Sequence, residues 1–589
     1  MDKREALKKY FGHASFRDGQ ERLIDALLEG RDVLGVMPTG AGKSVCYQVP
    51  AVLLPGITLV ISPLISLMKD QVAALNASGI PSAYLNSTLT QRQMDLAMDN
   101  AARGRYKLIY TAPERLEAPG FLRFAQNTGF GLIAVDEAHC VSQWGQDFRP
   151  SYLRIAEFVD RLPVRPPVGA FTATATRRVA DDIVRLLTLK TPVRVTTGFD
   201  RPNLFFEIDS VRGRQDAVLR LVSARRDQSG IIYCVSRKQV ESITEKLNAV
   251  GLRAVRYHAG LSEEERRRSQ EAFQYDECPV MVATNAFGMG IDKSNVRYVI
   301  HAQMPRSIEA YYQEAGRAGR DGERADCVLL YNRQDIMAGR YLIENGEQNE
   351  ALTPEMREQV RRQDNQRLNA MVSLCEGTGC IRAELLRYFG QPAEKSCCRC
   401  SRCRPEDALL TVSRASAGRG GKASASAFTV RKTAPEPQTE SDPVRQEALD
   451  DLMVRLRAMR LRLAAQAHVP AYIVMGDQTL RDIVRVLPLS VSALMDVRGI
   501  GQQKAERYGA QVLTTVGEWL RVHPEMAPPD DQAPSDEGED GLIGDEPLPA
   551  EPPWLPEDDR LLARCRRAGL TLAQTAIVMD RPPESLRDR

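Results

Sequence analysis

Residues 32–44 read DVLGVMPTGAGKS, an apolar run that passes directly into a glycine-containing loop. The run DVLGVM is typical of a buried parallel strand. Gly40 and Gly42 permit a tight loop whose backbone N–H groups can hold phosphate at the start of a helix. Lys43 would reach the β- and γ-phosphates, and Ser44 would offer its hydroxyl to Mg²⁺. A strand, a phosphate loop and a helix in this order predict an α/β nucleotide-binding fold.

A second motif, VDEAH at residues 135–139, comes at the end of another apolar run. Asp136 is predicted to hold Mg²⁺ and Glu137 to polarise the attacking water, as hydrolysis of a nucleoside triphosphate requires. The alternative is a solvated strand end, which the upstream phosphate loop disfavours. Met37 departs from the general phosphate-loop pattern, which has glycine at that position.

Apolar runs recur in two sets along the first 340 residues. The first set is DVLGVM (32–37), ITLVIS (57–62), KLIYTA (107–112), LIAVDE (132–137) and VGAFTAT (168–174). The second set is SGIIYCV (229–235), PVMVAT (279–284) and VRYVIHA (296–302). We therefore expect an α/β protein with two tandem RecA-like lobes, each built on a parallel sheet.

The second predicted lobe contains QEAGRAGR at residues 313–320. Arg320 is the predicted arginine finger, with Arg317 as its neighbour, because two arginines facing the phosphates of the first lobe would stabilise transition-state charge. Hydrolysis would then require closed lobes. A surface helix with ordinary arginines is the alternative.

A cysteine cluster, C-x16-C-x2-C-x2-C, follows the second lobe. Its members are Cys380, Cys397, Cys400 and Cys403. Tetrahedral zinc takes four thiolates, and a C-x2-C turn lets two of them reach one metal. Cys398 leaves the choice of ligands slightly open, and clustered free thiols are the alternative. The chain has 12 cysteines, otherwise scattered, which suits a reducing compartment.

Composition is that of an ordinary soluble protein: 589 residues, 43% hydrophobic and 26% charged. Neither a run of about 20 apolar residues nor a signal-peptide core is found, so we expect a cytoplasmic protein. A net charge of +2 means that any nucleic-acid surface must be local.

Periodicity and composition divide the chain into seven parts. These are lobe 1 (1–200), lobe 2 (201–340), a zinc-binding module (341–404), a basic flexible linker (405–443), a small all-α domain (444–523), an acidic proline-rich linker (524–556) and a helix-turn-helix-like tail (557–589). The arginines of the tail suit a phosphate backbone, and a solvated pair of amphipathic helices is an equal alternative.

The motifs as a set resemble the RecQ family of superfamily 2 DNA helicases over roughly residues 5–404. Further motifs occur in the expected order: FRDGQ (16–20), SPLISLMKDQ (62–71), TAPERL (111–116), TATAT (172–176), FDRPN (199–203), YHAGL (257–261) and ATNAFGMGIDK (283–293). The resemblance implies an ATP-, Mg²⁺- and Zn²⁺-dependent enzyme that moves 3′-to-5′ on single-stranded DNA and unwinds duplexes in recombination and repair. The implied partners are single-stranded and junction DNA, single-stranded-DNA-binding protein and other repair factors.

The resemblance also implies roles at the adenine end of the ATP site. Arg17 is expected against the base and Gln20 on its edge, with Thr39 beside the phosphate loop. His13 stands where relatives usually carry a tyrosine that stacks on adenine. Histidine can stack too, so weaker base selectivity is expected.

The most family-specific stretch is CVSQWGQDFRP at 140–150, similar to an aromatic-rich loop that links single-stranded DNA to hydrolysis. Trp144 and Phe148 are predicted to stack on bases, and Arg149 to add charge or a cation–π contact. A core position is the alternative for Trp144, although the residues around it, Gly145 among them, are typical of a loop.

The family commonly follows its zinc module with a winged-helix domain, and no such pattern is found here. Residues 444–523 resemble instead the helicase-and-RNase-D C-terminal domain. In VRGIGQQKAERYG (497–509), Gly499 and Gly501 predict a turn with exposed N–H groups near Lys504 for phosphate contact. Protein contacts are the alternative role for such a module.

Three rival functions remain. An RNA helicase would share the motor motifs but not the aromatic loop and the cysteine cluster. A DNA translocase with weak or no unwinding is the more serious rival, because the winged helix is missing. A non-enzymatic DNA-binding adaptor would need a broken motor, whereas Lys43, Asp136, Glu137 and Arg320 are all present.

Overall fold

The computed structural model describes residues 1–63, 65–145, 147–211, 213–226, 228–287, 293–345, 353–412, 428–430, 443–467 and 471–526. Most of the predicted basic and acidic linkers and the whole predicted tail, 557–589, lie outside these residues. Among the described helices, none combines the length and the apolarity needed to cross a bilayer.

The first lobe is a seven-stranded parallel sheet. Its strands are β1 (Val33–Val36), β2 (Ile57–Ile61), β3 (Ser82–Leu85), β4 (Leu108–Thr111), β5 (Phe130–Val135), β6 (Val168–Thr172) and β7 (Val193–Thr196), in the order β3-β4-β2-β5-β6-β1-β7. The carboxyl ends of β5, β6 and β1 therefore meet at one edge, where ligands of such sheets bind.

Helices cover both faces of this sheet. They are α1 (Lys3–Ala6), α2 (Gln20–Leu28), α3 (Val45–Leu53), α4 (Ile65–Ala77), α5 (Gln91–Ala102), α6 (Pro119–Thr128), α7 (Arg154–Asp160) and α8 (Arg177–Leu186). Apolar side chains of α2, α3 and α4 pack in one buried cluster and those of α5 to α8 in another. Burial on both faces explains the continuous apolar runs of the central strands.

The second lobe repeats this design with six parallel strands. They are β8 (Leu204–Ser210), β9 (Ser229–Tyr233), β10 (Ala254–Tyr257), β11 (Val280–Ala283), β12 (Val296–His301) and β13 (Ala325–Tyr331), in the order β10-β11-β9-β12-β13-β8. Its helices are α9 (Arg214–Ser223), α10 (Arg237–Ala249), α11 (Glu263–Gln274) and α12 (Ile308–Ala315). The predicted pair of parallel-sheet lobes is thus confirmed.

A helical module follows, with α13 (Gln334–Asn345), α14 (Pro354–Glu376) and α15 (Ile381–Tyr388). Phe389, just after α15, stacks on Phe199, which lies just before the second lobe, with ring centroids 4.6 Å apart. Buried Arg382 donates to the carbonyls of Arg201 and Leu204. These contacts fix the module to the second lobe.

Parts of the segment predicted as a flexible linker, 405–443, are folded. Short antiparallel strands β14 (Leu410–Val412) and β15 (Phe428–Val430) lie inside it. Leu409 and Leu410 are buried against the second lobe, and their N–H groups donate to the Glu207 carboxylate at 2.8 and 2.9 Å. The ordered chain therefore continues past the predicted boundary at 404.

The C-terminal all-α domain has its own core. Its helices are α16 (Pro443–Ala467), α17 (Ala471–Val474), α18 (Asp477–Val486), α19 (Val491–Met495) and α20 (Gln502–Val522). Trp519 is fully buried among leucines, valines and methionines of these helices. A buried ion pair between Arg460 and Asp477, 2.6 Å apart, joins α16 to α18.

Candidate nucleotide and DNA sites

The phosphate loop joins β1 to α3 at the carboxyl edge of the first sheet. Gly40 and Gly42 have φ of +84° and +81°, where glycine is favoured. A Cβ on Gly42 would lie 2.6 Å from a side-chain amide of α2, so a larger residue would displace that amide. Lys43 Nζ donates to the Met37 carbonyl at 3.4 Å, and Ser44 directly precedes α3. The loop residues that line a cleft of about 730 Å³ are Thr39, Gly40, Gly42, Lys43 and Ser44.

Asp136 and Glu137 follow β5 and line the same cleft. Burial, reinforced by the charge of Glu137, raises the pKa of Asp136 to about 7. Burial alone would raise the pKa of Glu137, but the hydrogen bond with His139 and the charge of Lys43 lower it to about 2. Glu137 is therefore ionised at neutral pH, the state that can accept a hydrogen bond from an attacking water.

His139 ties this acidic pair to the neighbouring strand. Its Nδ1 lies 3.3 Å from Glu137 Oε2 and 2.9 Å from Thr172 Oγ1 at the end of β6. Tyr152 donates to the Asp136 carbonyl at 3.0 Å. Glu137 has φ of +46°, uncommon for a residue with a side chain, and these contacts hold that backbone in place.

Arg17 and Gln20 lie at the rim of the phosphate loop. Gln20 Nε2 donates to two loop carbonyls at 3.1 Å each, and Arg17 Nη1 donates to the Gly40 carbonyl. His13 lines the same cleft. Burial, followed by nearby positive charges, Arg17 first among them, lowers the pKa of His13 to about 4. The imidazole is therefore neutral at physiological pH and can stack as an uncharged ring.

The second lobe contributes three arginines. Buried Arg317 and half-buried Arg320 line the cleft opposite the phosphate loop. Arg201 joins the lobes, since its Nη1 donates to the Thr39 carbonyl at 2.9 Å and to the Gly316 carbonyl at 3.1 Å. The sequence contains Arg201 within FDRPN, but the bridging role depends on lobe contacts that no local pattern reveals.

The C-terminal domain forms a further wall of this cleft. The Gly499 N–H donates to the Gly12 carbonyl at 2.9 Å, and a Cβ on Gly12 would lie 2.8 Å from the Gly499 backbone. Residues 495–498 line the cleft, and Asp496 pairs with Lys8 at 3.7 Å. The prediction that this turn exposes its N–H groups is therefore wrong at Gly499.

The same domain also reaches the second lobe. Arg481 pairs with Glu323 at 3.1 Å. Lys504 lies close enough to His13 for its charge to lower the histidine pKa, and burial lowers the pKa of Lys504 itself to about 8. The predicted contact of Lys504 with DNA stays a prediction.

The aromatic loop, 140–150, connects β5 to α7. Ser142 Oγ accepts from the Trp144 N–H at 3.1 Å and donates to Asp182 of α8 at 2.7 Å. Trp144 is half-buried, and the guanidinium carbon of Arg178 lies 3.0 Å from the centroid of its ring. The loop is therefore attached to α8 at two points.

Phe148 and Arg149 are also half-buried. The Arg149 guanidinium donates to Asp147 at 3.1 Å and to the Pro63 carbonyl at 3.2 Å. It thus lies between the aromatic loop and the start of the segment that leads into α4. Gln146 of the same motif lies outside the described residues.

The four cysteines predicted as zinc ligands come together. The Sγ atoms of Cys380, Cys397, Cys400 and Cys403 all lie within 4.8 Å of one another, and those of Cys380 and Cys400 are 3.9 Å apart. Four thiolates bound tetrahedrally to zinc would be roughly 3.8 Å apart, so the set fits this metal. Cys398 is exposed and does not join the group.

Four family comparisons agree with this geometry. Residues 17–183 match the DEAD/DEAH box helicase family, 213–322 the helicase conserved C-terminal domain, 333–404 the RecQ zinc-binding family and 450–516 the HRDC domain.

Curated proteins resemble the chain over most of its length. The ATP-dependent DNA helicase RecQ of Bacillus subtilis is 38% identical over 88% of this chain and 98% of that protein. The protein of the same name from Haemophilus influenzae is 36% identical over 87% and 95%. Among solved structures, Mss116p bound to ssRNA and AMP-PNP is 16% identical, with a TM-score of 0.50 over 66% of this chain and 89% of that one. That last likeness concerns the fold alone.

Proposed function

Because this chain belongs to the RecQ family of ATP-dependent DNA helicases, we propose that its ATP-driven unwinding proceeds 3′-to-5′ along single-stranded DNA and serves recombination and repair. The proposed substrates are single-stranded and junction DNA. Single-stranded-DNA-binding protein and other repair factors are the proposed partners.

The residues of the cleft suit in-line attack on the γ-phosphate of ATP. Mg²⁺, held by Ser44 and Asp136, would neutralise phosphate charge. Ionised Glu137 orients the attacking water, and Lys43 holds the phosphates from the loop side. Arg317 and Arg320 stabilise the transition-state charge from the second lobe.

The observation that carries the link to DNA is the attachment of the aromatic loop to the acidic pair. The loop begins within the one-turn helix Ala138–Val141 that follows Glu137 directly. A Cβ on Gly145 would lie 2.3 Å from the His139 carbonyl, so the loop packs tightly against the residue that holds Glu137. Displacement of the loop by DNA would therefore shift His139, and with it Glu137.

A second candidate is a DNA translocase with weak unwinding. The zinc-binding match ends at 404 and the HRDC match begins at 450, and no winged helix lies between them in the part of the chain that the structure describes. The domain that grips duplex DNA in relatives would then have no counterpart, which favours movement without efficient strand separation.

A strand-displacement assay distinguishes these functions. We expect ATP-dependent displacement on a 3′-tailed duplex and little on 5′-tailed or blunt duplexes. Glu137→Gln should lose displacement and ATP turnover while still binding single-stranded DNA. ATPase stimulated by single-stranded DNA without displacement of any duplex would favour the translocase. Stronger stimulation by RNA than by DNA of the same sequence would favour an RNA helicase.

A further inference from the structure

Trp144 does not present a bare ring to solvent in this structure. The guanidinium carbon of Arg178 lies over the ring, 3.0 Å from its centroid, in a cation–π contact. Arg178 itself is exposed, so its guanidinium covers an indole face that would otherwise face solvent. A cation on that face occupies the position in which a nucleobase would stack.

The arginine that covers Trp144 belongs to α8, a helix that also holds the aromatic loop. Arg178 lies in the first turn of α8, directly after TATAT, whose first residue, Thr172, contacts His139. Asp182, one helical turn further along the same face, accepts from Ser142 of the aromatic loop. Helix α8 therefore holds the loop through Asp182 and covers its aromatic ring through Arg178.

We propose that Arg178 competes with single-stranded DNA for Trp144, so that a base must displace the guanidinium before it can stack. The proposal rests on the proposed function, in which Trp144 stacks on a base. A base that stacks on Trp144 must first break the Arg178 contact, which costs free energy. A strand without bases does not have this cost. Arg178 thereby sets how much DNA is needed to switch on hydrolysis.

The test uses the full chain and measures the concentration of strand that gives half-maximal ATPase stimulation. The probes are oligo-dT and an abasic strand of the same length. In Arg178→Ala the preference for oligo-dT over the abasic strand should rise by about two- to fivefold, the factor that an exposed cation–π contact represents. Arg178→Lys should lie between this variant and the wild type. Arg177→Ala, which removes the exposed arginine one residue earlier, is the matched control and should leave the preference unchanged.

A spectroscopic signature separates this role from a structural one. The chain has three tryptophans, so subtracting the emission of Trp144→Phe from that of the parent protein isolates Trp144. Without DNA, Arg178→Ala should change this difference spectrum, and Arg177→Ala should not.

Two results would overturn the proposal. One is a preference ratio in Arg178→Ala equal to that of Arg177→Ala. The other is an equal weakening for both strands, which would make Arg178 a plain phosphate contact. If Trp144→Ala keeps full stimulation by DNA, the failure lies instead with the proposed stacking role of Trp144.

Discussion

Arg320 and Arg317 differ in burial although both line the nucleotide cleft. Arg320 is half-buried, and its main chain lies near Gly40 of the phosphate loop, so it faces the expected γ-phosphate. We expect Arg320→Ala to lower ATP turnover by roughly 10³-fold while ATP binding changes much less. Single-turnover hydrolysis beside nucleotide-binding titrations measures both quantities. Arg324→Ala, an exposed arginine of the same lobe, is the control, and near-normal turnover in Arg320→Ala would remove Arg320 from the mechanism.

His13 provides a pH test at the adenine end of the cleft. Its pKa is lowered to about 4 by burial and then by nearby positive charges, so the ring is neutral from pH 5 upward. The ratio of ATP affinities between wild type and His13→Phe should therefore stay constant from about pH 5.5 to 8. Were the ring to titrate at its ordinary pKa, a positive charge would appear below about pH 6.5 and the ratio would change there. Fluorescent-nucleotide titration across this range checks the point.

The predicted zinc site is a property of a whole structural element, because its cysteines bind the metal together rather than singly. Replacing Cys397 or Cys400 with serine should give protein that is insoluble or lacks zinc, since metal binding here supports folding. Cys398→Ser should keep about one zinc per chain, measured by metal analysis of purified protein. Zinc lost in Cys398→Ser but kept in Cys397→Ser would reverse the ligand assignment.

A second test concerns strand β8 and the segment that is bonded to it. Glu207 is fully buried, and burial raises the pKa of its carboxyl, which accepts the N–H groups of Leu409 and Leu410. A chain ending at 404 loses both donors, whereas one ending at 412 keeps them. We expect the shorter chain to be less stable by about 1–3 kcal/mol, the cost of leaving a buried polar group unpaired. Thermal unfolding of the two truncations compares them, and equal midpoints would show that Glu207 does not need this segment.

The central strands were predictable because their apolar runs are continuous. Strands β1, β2, β5 and β6 are buried along nearly their whole length, and each coincides with a predicted run. Strands β3, β7, β8 and β10 escaped prediction because they lie at sheet edges and are partly exposed, which breaks or shortens the run. Strand β13 escaped for another reason, since its buried Asp326 reads as a loop residue. Its partner, Arg225, lies 101 residues away in sequence and 2.9 Å away in space.

The residues of the candidate site also divide into those that the sequence predicts and those that it does not. The phosphate loop, the acidic pair and the cysteine cluster are local patterns, so sequence alone brings their members together. Arg201, His139 and Arg178 act through neighbours that only the folded lobes supply. The docking of Gly499 on Gly12 joins segments from opposite ends of the chain, and no spacing rule predicts it.

At the scale of the whole molecule, we expect the C-terminal third, residues 413–589, to add contacts to the phosphates of DNA. A chain ending at 412 should bind single-stranded DNA more weakly, with a flatter dependence on salt, because fewer phosphate contacts release fewer counterions. Its maximal ATPase rate should change by less than about twofold, since every proposed catalytic residue remains. DNA-binding titrations at several salt concentrations, together with strand displacement, measure this. Equal salt slopes in the two proteins would assign the C-terminal third to partners or regulation instead.

The contact between Gly499 and Gly12 lies at the rim of the ATP cleft, and the two backbones fit together only because Gly12 has no side chain, since a Cβ there would lie 2.8 Å from the Gly499 backbone. By thermodynamic linkage, ATP and a ligand that separates the two glycines must affect each other's affinity equally. If separation of the two glycines changes the affinity for ATP by some factor, bound ATP changes the affinity for any ligand that requires this separation by the same factor. A macromolecule that binds the C-terminal domain and separates the glycines would thus bind with a different affinity when ATP is present, without contacting the nucleotide.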